Sequence, residues 1–115
     1  MKVDVKIIND YTREVSVDVP WSELESDFNS TIKKFSRKIK MPGFRPGKIP
    51  RDRLMQQFQS NIEAEFMEDN IQKFYLLSVQ QEEIIPVNQA EISDVHFHMN
   101  EHFSFMAKFE VEPEV

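Results

Sequence analysis

Apolar and polar residues alternate from the first positions of the chain. Val3, Val5 and Ile7 are separated by Asp4 and Lys6, and Val15, Val17 and Val19 by Ser16 and Asp18. A period of two puts one set of side chains on each face of a strand, so both runs are expected to form half-buried strands. Asn9-Asp10 supplies turn chemistry between them, which makes an opening hairpin, and Pro20 stops it. The period then changes: Leu24, Phe28, Ile32, Phe35 and Ile39 recur every three or four residues. That spacing makes one apolar stripe on a helix of about 18 residues. Ser22 and Glu25 have the spacing of a capping box, with Trp21 placed before it to staple the entry. Pro42 disfavours helix in the residues before it and ends this one.

Beyond Pro50, which suits a first helical position, Leu54, Met55 and Phe58 predict a short helix from Arg51 to about Phe58. Ser60 and Glu63 form a second capping box. They open a long helix to about Gln81 whose wide apolar face comprises Ile62, Phe66, Met67, Ile71, Phe74, Tyr75 and Leu77. Glu63, Glu65, Glu68 and Asp69 crowd its first half, where the helix dipole favours anions. Ile84-Ile85-Pro86-Val87 reads as an extended connector or short edge strand, because Pro86 has no amide to donate. Val95, Phe97 and Met99 alternate with His96 and His98, and Phe103, Phe105, Ala107, Phe109 and Val111 alternate with polar or flexible neighbours. A turn at Asn100-Glu101-His102 keeps both odd-numbered sets on one face. The order ββ-α-loop-αα-ββ gives an α+β fold, a four-stranded antiparallel sheet packed on helices.

Composition narrows this picture. The 115 residues suit one domain, 1–115, and 40% hydrophobic residues with ten Phe supply a core. There is no cysteine, which excludes disulfide and thiolate chemistry. The start of the chain lacks the apolar run of a signal peptide, and no stretch approaches the roughly 20 apolar residues of a membrane span, so a cytoplasmic protein without membrane partners is expected. Charge is the sharper signal. Between Lys33 and Arg53 stand nine Lys or Arg against Asp52 alone, a net +8, while the rest of the chain carries five cations against nineteen carboxylates, a net −14. A basic patch on an acidic body can dock an anionic surface and turn the body away from it.

The basic segment contains Met41-Pro42-Gly43-Phe44-Arg45-Pro46-Gly47-Lys48-Ile49-Pro50, with both glycines and three of the six prolines. Glycine opens positive φ and proline fixes φ near −65°, so the alternation shapes a stiff connection that is neither helix nor strand. Phe44 has no apolar neighbour in the chain, which favours presentation over burial. Gly43 to Lys48 is not a phosphate-binding P-loop: three residues separate the glycines where four are needed, Ile49 replaces Ser/Thr, and a helix precedes it. His96, His98 and His102 have a spacing that can hold a metal, but no acidic ligand alternates with them, and no metal or other cofactor is assigned. No nucleophile and base can be paired, so no catalytic residue is assigned. The six methionines, Met41 and Met55 among them, fit adaptable surfaces, although core filling is their commoner use.

Gly43-Phe44-Arg45-Pro46-Gly47-Lys48-Ile49-Pro50 resembles the G-F-R-x-G-K-x-P signature of trigger factor, a family of bacterial ribosome-associated chaperones. All fixed positions match, with Pro46 and Ile49 at variable ones. The flanking elements agree, and the ending from Phe109 to Val115 is similar to the family's exit from its N-terminal ribosome-binding domain. The resemblance implies a docking site of Gly43, Phe44, Arg45, Pro46, Gly47 and Lys48. Phe44 would be an apolar anchor, Arg45 a partner for carboxylate or phosphate, and Lys48 a looser phosphate contact. Pro46 leaves its position uncharged, where some members carry a lysine. Arg37, Lys38, Lys40, Arg51 and Arg53 would form an auxiliary basic patch, with Lys33 and Lys34 further back on the helix. Part of that charge also complements the end of the first helix. Implied partners are the large ribosomal subunit, through the exit-tunnel ribosomal protein and adjoining rRNA, and nascent polypeptides, with a homodimer off the ribosome. The family's prolyl-isomerase and C-terminal substrate-binding domains have no place in 115 residues, so no enzyme activity is expected of this domain. The alternative reading is a stand-alone RNA-binding domain using the same basic loop. A prolyl isomerase is the third.

Overall fold

The computed structural model describes residues 1–113. The last two residues of the family-like ending, Glu114 and Val115, lie outside them. Two hairpins flank a helical segment: β1 (Lys2–Asn9), β2 (Thr12–Pro20), α1 (Trp21–Lys38), α2 (Arg51–Gln81), β3 (Glu91–His98) and β4 (His102–Glu110). The four strands make one antiparallel sheet in the order β1-β2-β4-β3, so the hairpins join through β2 and β4. The α+β fold expected from the pattern is the fold observed.

The core lies between one sheet face and the helices. Val15, Val17 and Val19 from β2 and Phe103, Phe105, Ala107 and Phe109 from β4 are buried, each set at a spacing of two. Opposite them α1 buries Leu24, Phe28, Ile32 and Phe35. Phe28 meets Phe66 of α2 edge-on with ring centroids 5.2 Å apart, and Phe97 of β3 lies against both rings. Edge and tilted packing suits the ring quadrupoles and binds the three layers of aromatic side chains together.

Several local expectations change. No side chain caps α1: it starts at Trp21 directly after Pro20, so Ser22–Glu25 is not a capping box. Trp21 packs on Phe28 and Phe97, and its amide donates to Glu101 O (3.0 Å), tying the helix start to the β3–β4 turn. After the loop the helical run breaks where the pattern places it, since Phe58 is non-helical (φ −126°, ψ 18°) and α2 is two helices meeting at a kink, but Ser60 makes no side-chain hydrogen bond among the described residues. Side-chain pairs trace the bend. Arg51 reaches Asn29, Phe58 meets Phe35, and the chain then runs back through Phe66–Phe28 and Lys73–Asp27.

The buried column of α2 is Ile62, Phe66, Asn70, Phe74 and Ser78, one residue in four. The buried polar groups in it are satisfied within the helix: Asn70 Nδ2 donates to Phe66 O and Ser78 Oγ to Tyr75 O. Leu77, assigned to the core by its spacing, is exposed. In β3 the register slips between Ser93 and His96, with Asp94 at φ 50°. That bulge turns Ile92 and Phe97 inward and leaves Val95 exposed, contrary to the simple alternation. The β3–β4 turn comes one residue early, at Met99–Glu101, and still keeps Phe97 opposite Phe103. Pro86 makes a single bridge to Val111, the short edge pairing its missing amide allows.

Candidate functional site

The loop leaves α1 after Lys38 and enters α2 at Arg51. The first half of α1 packs on the sheet. Its other end lies about 27 Å along an 18-residue helix, so the loop stands clear of the strands. Met41 and Ile49, one on each side of the tip, are buried in the core cluster and act as its feet. Met41 thus fills core instead of offering a free surface. Between the feet, two backbone bonds close successive turns: Phe44 N–H to Met41 O (3.1 Å) and Lys48 N–H to Arg45 O (2.9 Å). Gly43 (φ 86°) and Gly47 (φ 81°) occupy the left-handed region those turns require. The Gly47 amide also donates to Ser36 O (3.1 Å), which pins the loop back onto α1.

Phe44 sits on the tip with 36% of its surface exposed, and Arg45, Pro46 and Lys48 are exposed beside it. Arg45 makes no side-chain hydrogen bond or ion pair among the described residues, and neither does Lys48. The six signature residues are thus all exposed on a pinned loop. The flanking cations divide. Lys38 is engaged by Glu65 of α2 at 2.6 Å, a bond that holds its pKa above the ordinary lysine value of 10.5. Arg51 donates to the neutral side chain of Asn29 (2.9 Å), so its charge is not cancelled. Arg37, Lys40 and Arg53 are exposed.

The histidines lie on the other side of the molecule. His98 and His102 face each other across β3 and β4 with rings stacked at 5.5 Å, and His102 Nδ1 stands 3.3 Å from Asp18. Among the described residues no group of three or more metal-type side chains comes together. No helix there is long and apolar enough to cross a membrane.

Fold and loop together define the class: an α+β domain with an exposed, pinned basic loop between two helices. A family model described as bacterial trigger factor protein matches residues 1–115, and the chain belongs to the trigger factor family. The trigger factor of Solibacter usitatus is 36% identical over 101 residues, covering 88% of this chain and 24% of that protein. That of Methylobacillus flagellatus is 32% identical and covers 100% of this chain and 27% of its own. That of Pseudomonas aeruginosa is 30% identical over 114 residues, 99% of this chain and 26% of that protein. The chain thus spans about a quarter of the length of the relatives it matches. A solved structure described under "Promiscuous Substrate Recognition in Folding and Assembly Activities of the Trigger Factor Chaperone" superposes with a TM-score of 0.80 over 99% of this chain and 27% of its own, at 14% identity, which establishes the shared fold.

Proposed function

We propose that this chain is a ribosome-docking domain, 1–115, which holds a chaperone beside the peptide exit tunnel and so assists the folding of nascent chains in the cytoplasm. What chiefly supports the reading is one arrangement: an exposed phenylalanine, and an arginine unpaired among the described residues, on a tip whose feet are buried and whose turns are fixed by glycine. A pre-shaped loop gives up little conformational freedom on binding, so more of its contact energy becomes affinity. Phe44 inserts into an apolar pocket on the exit-tunnel protein, a burial worth about 1.5–3 kcal/mol. Arg45 uses its planar fork on carboxylate or phosphate, and Lys48 adds a looser phosphate contact. The acidic remainder of the chain is repelled by rRNA and faces outward. Prolyl isomerisation and the main substrate-binding surface belong to the part of the relatives' length that this chain does not span. This domain takes no catalytic role.

Co-sedimentation with whole ribosomes tests this. Phe44→Ala with Arg45→Ala is expected to abolish pelleting, while naked rRNA binds weakly and without dependence on Phe44. Equal binding to naked rRNA, with the same loss on mutation, would instead establish a stand-alone RNA-binding domain.

A further inference from the structure

Behind the loop tip, a cleft of about 300 Å³ runs between α1, the returning loop and the start of α2. It is far larger than the ~10–15 Å³ that one water needs. Its walls include Lys33, Ser36, Arg37, Gly47, Arg51 and Leu54, and no lining residue is a carboxylate. We infer that this cleft is a phosphate-binding subsite, distinct from the Phe44–Arg45 tip.

Four observations converge on an oxyanion. Lys33 and Arg37 lie one helical turn apart on α1, and neither makes an ion pair among the described residues. Arg51 approaches from the opposite wall, steadied by the neutral Asn29, so its charge remains available. The Ser36 hydroxyl is buried with no hydrogen-bond partner among the described residues, and Ser36 lines the cleft. Finally, α2 begins here with no side-chain cap. The Arg53 and Leu54 amides close on Pro50 O, and those of Arg51 and Asp52 find no acceptor among the described residues. Uncapped amides at the positive end of a helix dipole attract anions. Asp52 opposes this from the first turn of α2, but it does not line the cleft. Lys38 is not part of the site, because Glu65 holds it.

The inference deepens the ribosome-docking reading, because an RNA phosphodiester is the phosphate nearest a docked loop; a free phosphate is the other source of the same chemistry. Amide NMR of the chain separates them, titrating sodium pyrophosphate in one arm and a uridine hexanucleotide in the other. Saturable shifts are expected at Ser36, Arg37, Gly47, Arg51 and Asp52. Lys33→Gln with Arg37→Gln should weaken binding by roughly tenfold or more, as expected for losing charge-assisted bonds. Lys108→Gln, on the sheet, should leave it unchanged. Ser36→Ala should weaken binding without lowering stability, since it removes a hydroxyl that has no internal partner. Saturation by the hexanucleotide identifies the backbone phosphodiester, and saturation by pyrophosphate alone identifies a small free anion. If neither saturates, or if the double variant binds as the wild type does, there is no such site. Phe44→Ala keeps the pyrophosphate shifts whatever it does to ribosome binding, so failure of the docking reading and failure of this subsite are separable.

Discussion

Gly43 and Gly47 set the shape of the tip, and each does so through φ, not space. A Cβ on Gly43 would meet nothing within 4 Å, and one on Gly47 would touch only Arg37 Cγ at an ordinary 3.7 Å. Alanine at either position must therefore hold a left-handed conformation without a clash, at about 1–2 kcal/mol. Gly43→Ala and Gly47→Ala are each expected to lower ribosome affinity roughly 5- to 30-fold, the factor that energy corresponds to, while the urea midpoint of the domain moves little. A binding titration beside a denaturation curve reads both quantities. Equal affinity with a lowered urea midpoint would mean that the free loop keeps the strained turns, so that folding and not binding bears the cost, and no change in either quantity would mean that the left-handed turns are not needed. At this scale the sequence was legible, because two glycines among three prolines leave the backbone few alternatives. The cleft behind the tip was not legible: Ser36 looks like any helix serine until the returning loop covers it.

Among the elements, α1, α2 and the break near Phe58 were readable from the pattern, but the helix caps were not. Capping boxes at Ser22 and Ser60 have the right residue types at the right spacing, yet α1 starts straight from Pro20 and neither serine caps a helix among the described residues. A capping box is local chemistry, and the packing of Phe58 on Phe35 and of Trp21 on Phe28 and Phe97 overrode it. The same packing fixes where mutations should matter. Phe66→Ala opens the aromatic junction between α1, β3 and α2 and is expected to cost about 3–5 kcal/mol, read as a lower urea midpoint. Leu77→Ser, at an exposed position that the period assigned to the core, should stay within about 0.5 kcal/mol.

The helix interface also responds to alkali. Lys38 holds its proton more tightly when folded because it donates to Glu65, and burial raises the pKa of the Tyr75 phenol above its ordinary 10.0. Between the ordinary and the raised values the folded chain binds more protons than the unfolded one, so stability falls as pH rises there. The contribution of these two groups is complete below about pH 10 and is lost above it. The urea midpoint is expected to drop on going from about pH 9 to about pH 11, and Tyr75→Phe or Lys38→Gln should each flatten part of that drop. An unchanged slope in both variants would assign the alkaline loss to other groups.

For the whole molecule, the separation of a +8 segment from a −14 remainder makes association with an anionic particle dependent on salt. Removing one cation that neutralises a phosphate should reduce the slope of log affinity against log salt by about one, so Arg45→Gln with Lys48→Gln should lower it by up to about two. Phe44→Ala should weaken binding by a factor that does not vary with salt, because burying an apolar ring releases no counterions. Sedimentation at two salt concentrations distinguishes the cases. A salt-dependent loss in Phe44→Ala would show that the ring acts by positioning its cationic neighbours and not by its own burial.

Local residue order is enough to set the alternation of β2 and β4, the apolar stripe of α1, the constrained backbone from Met41 to Pro50 and the concentration of positive charge around it. All of these are set by neighbours a few residues away, through backbone geometry and composition. Which apolar residues find cover depends instead on how the elements pack. Ile7 alternates as regularly as Val17, yet it is 69% exposed where Val17 is 1%, because β1 is an edge strand and the helices reach β2 and β4 but not all of β1. The bulge at Asp94 and the cleft beneath Gly47 belong to the same class. Each depends on which elements meet in space, and no period along the chain records that.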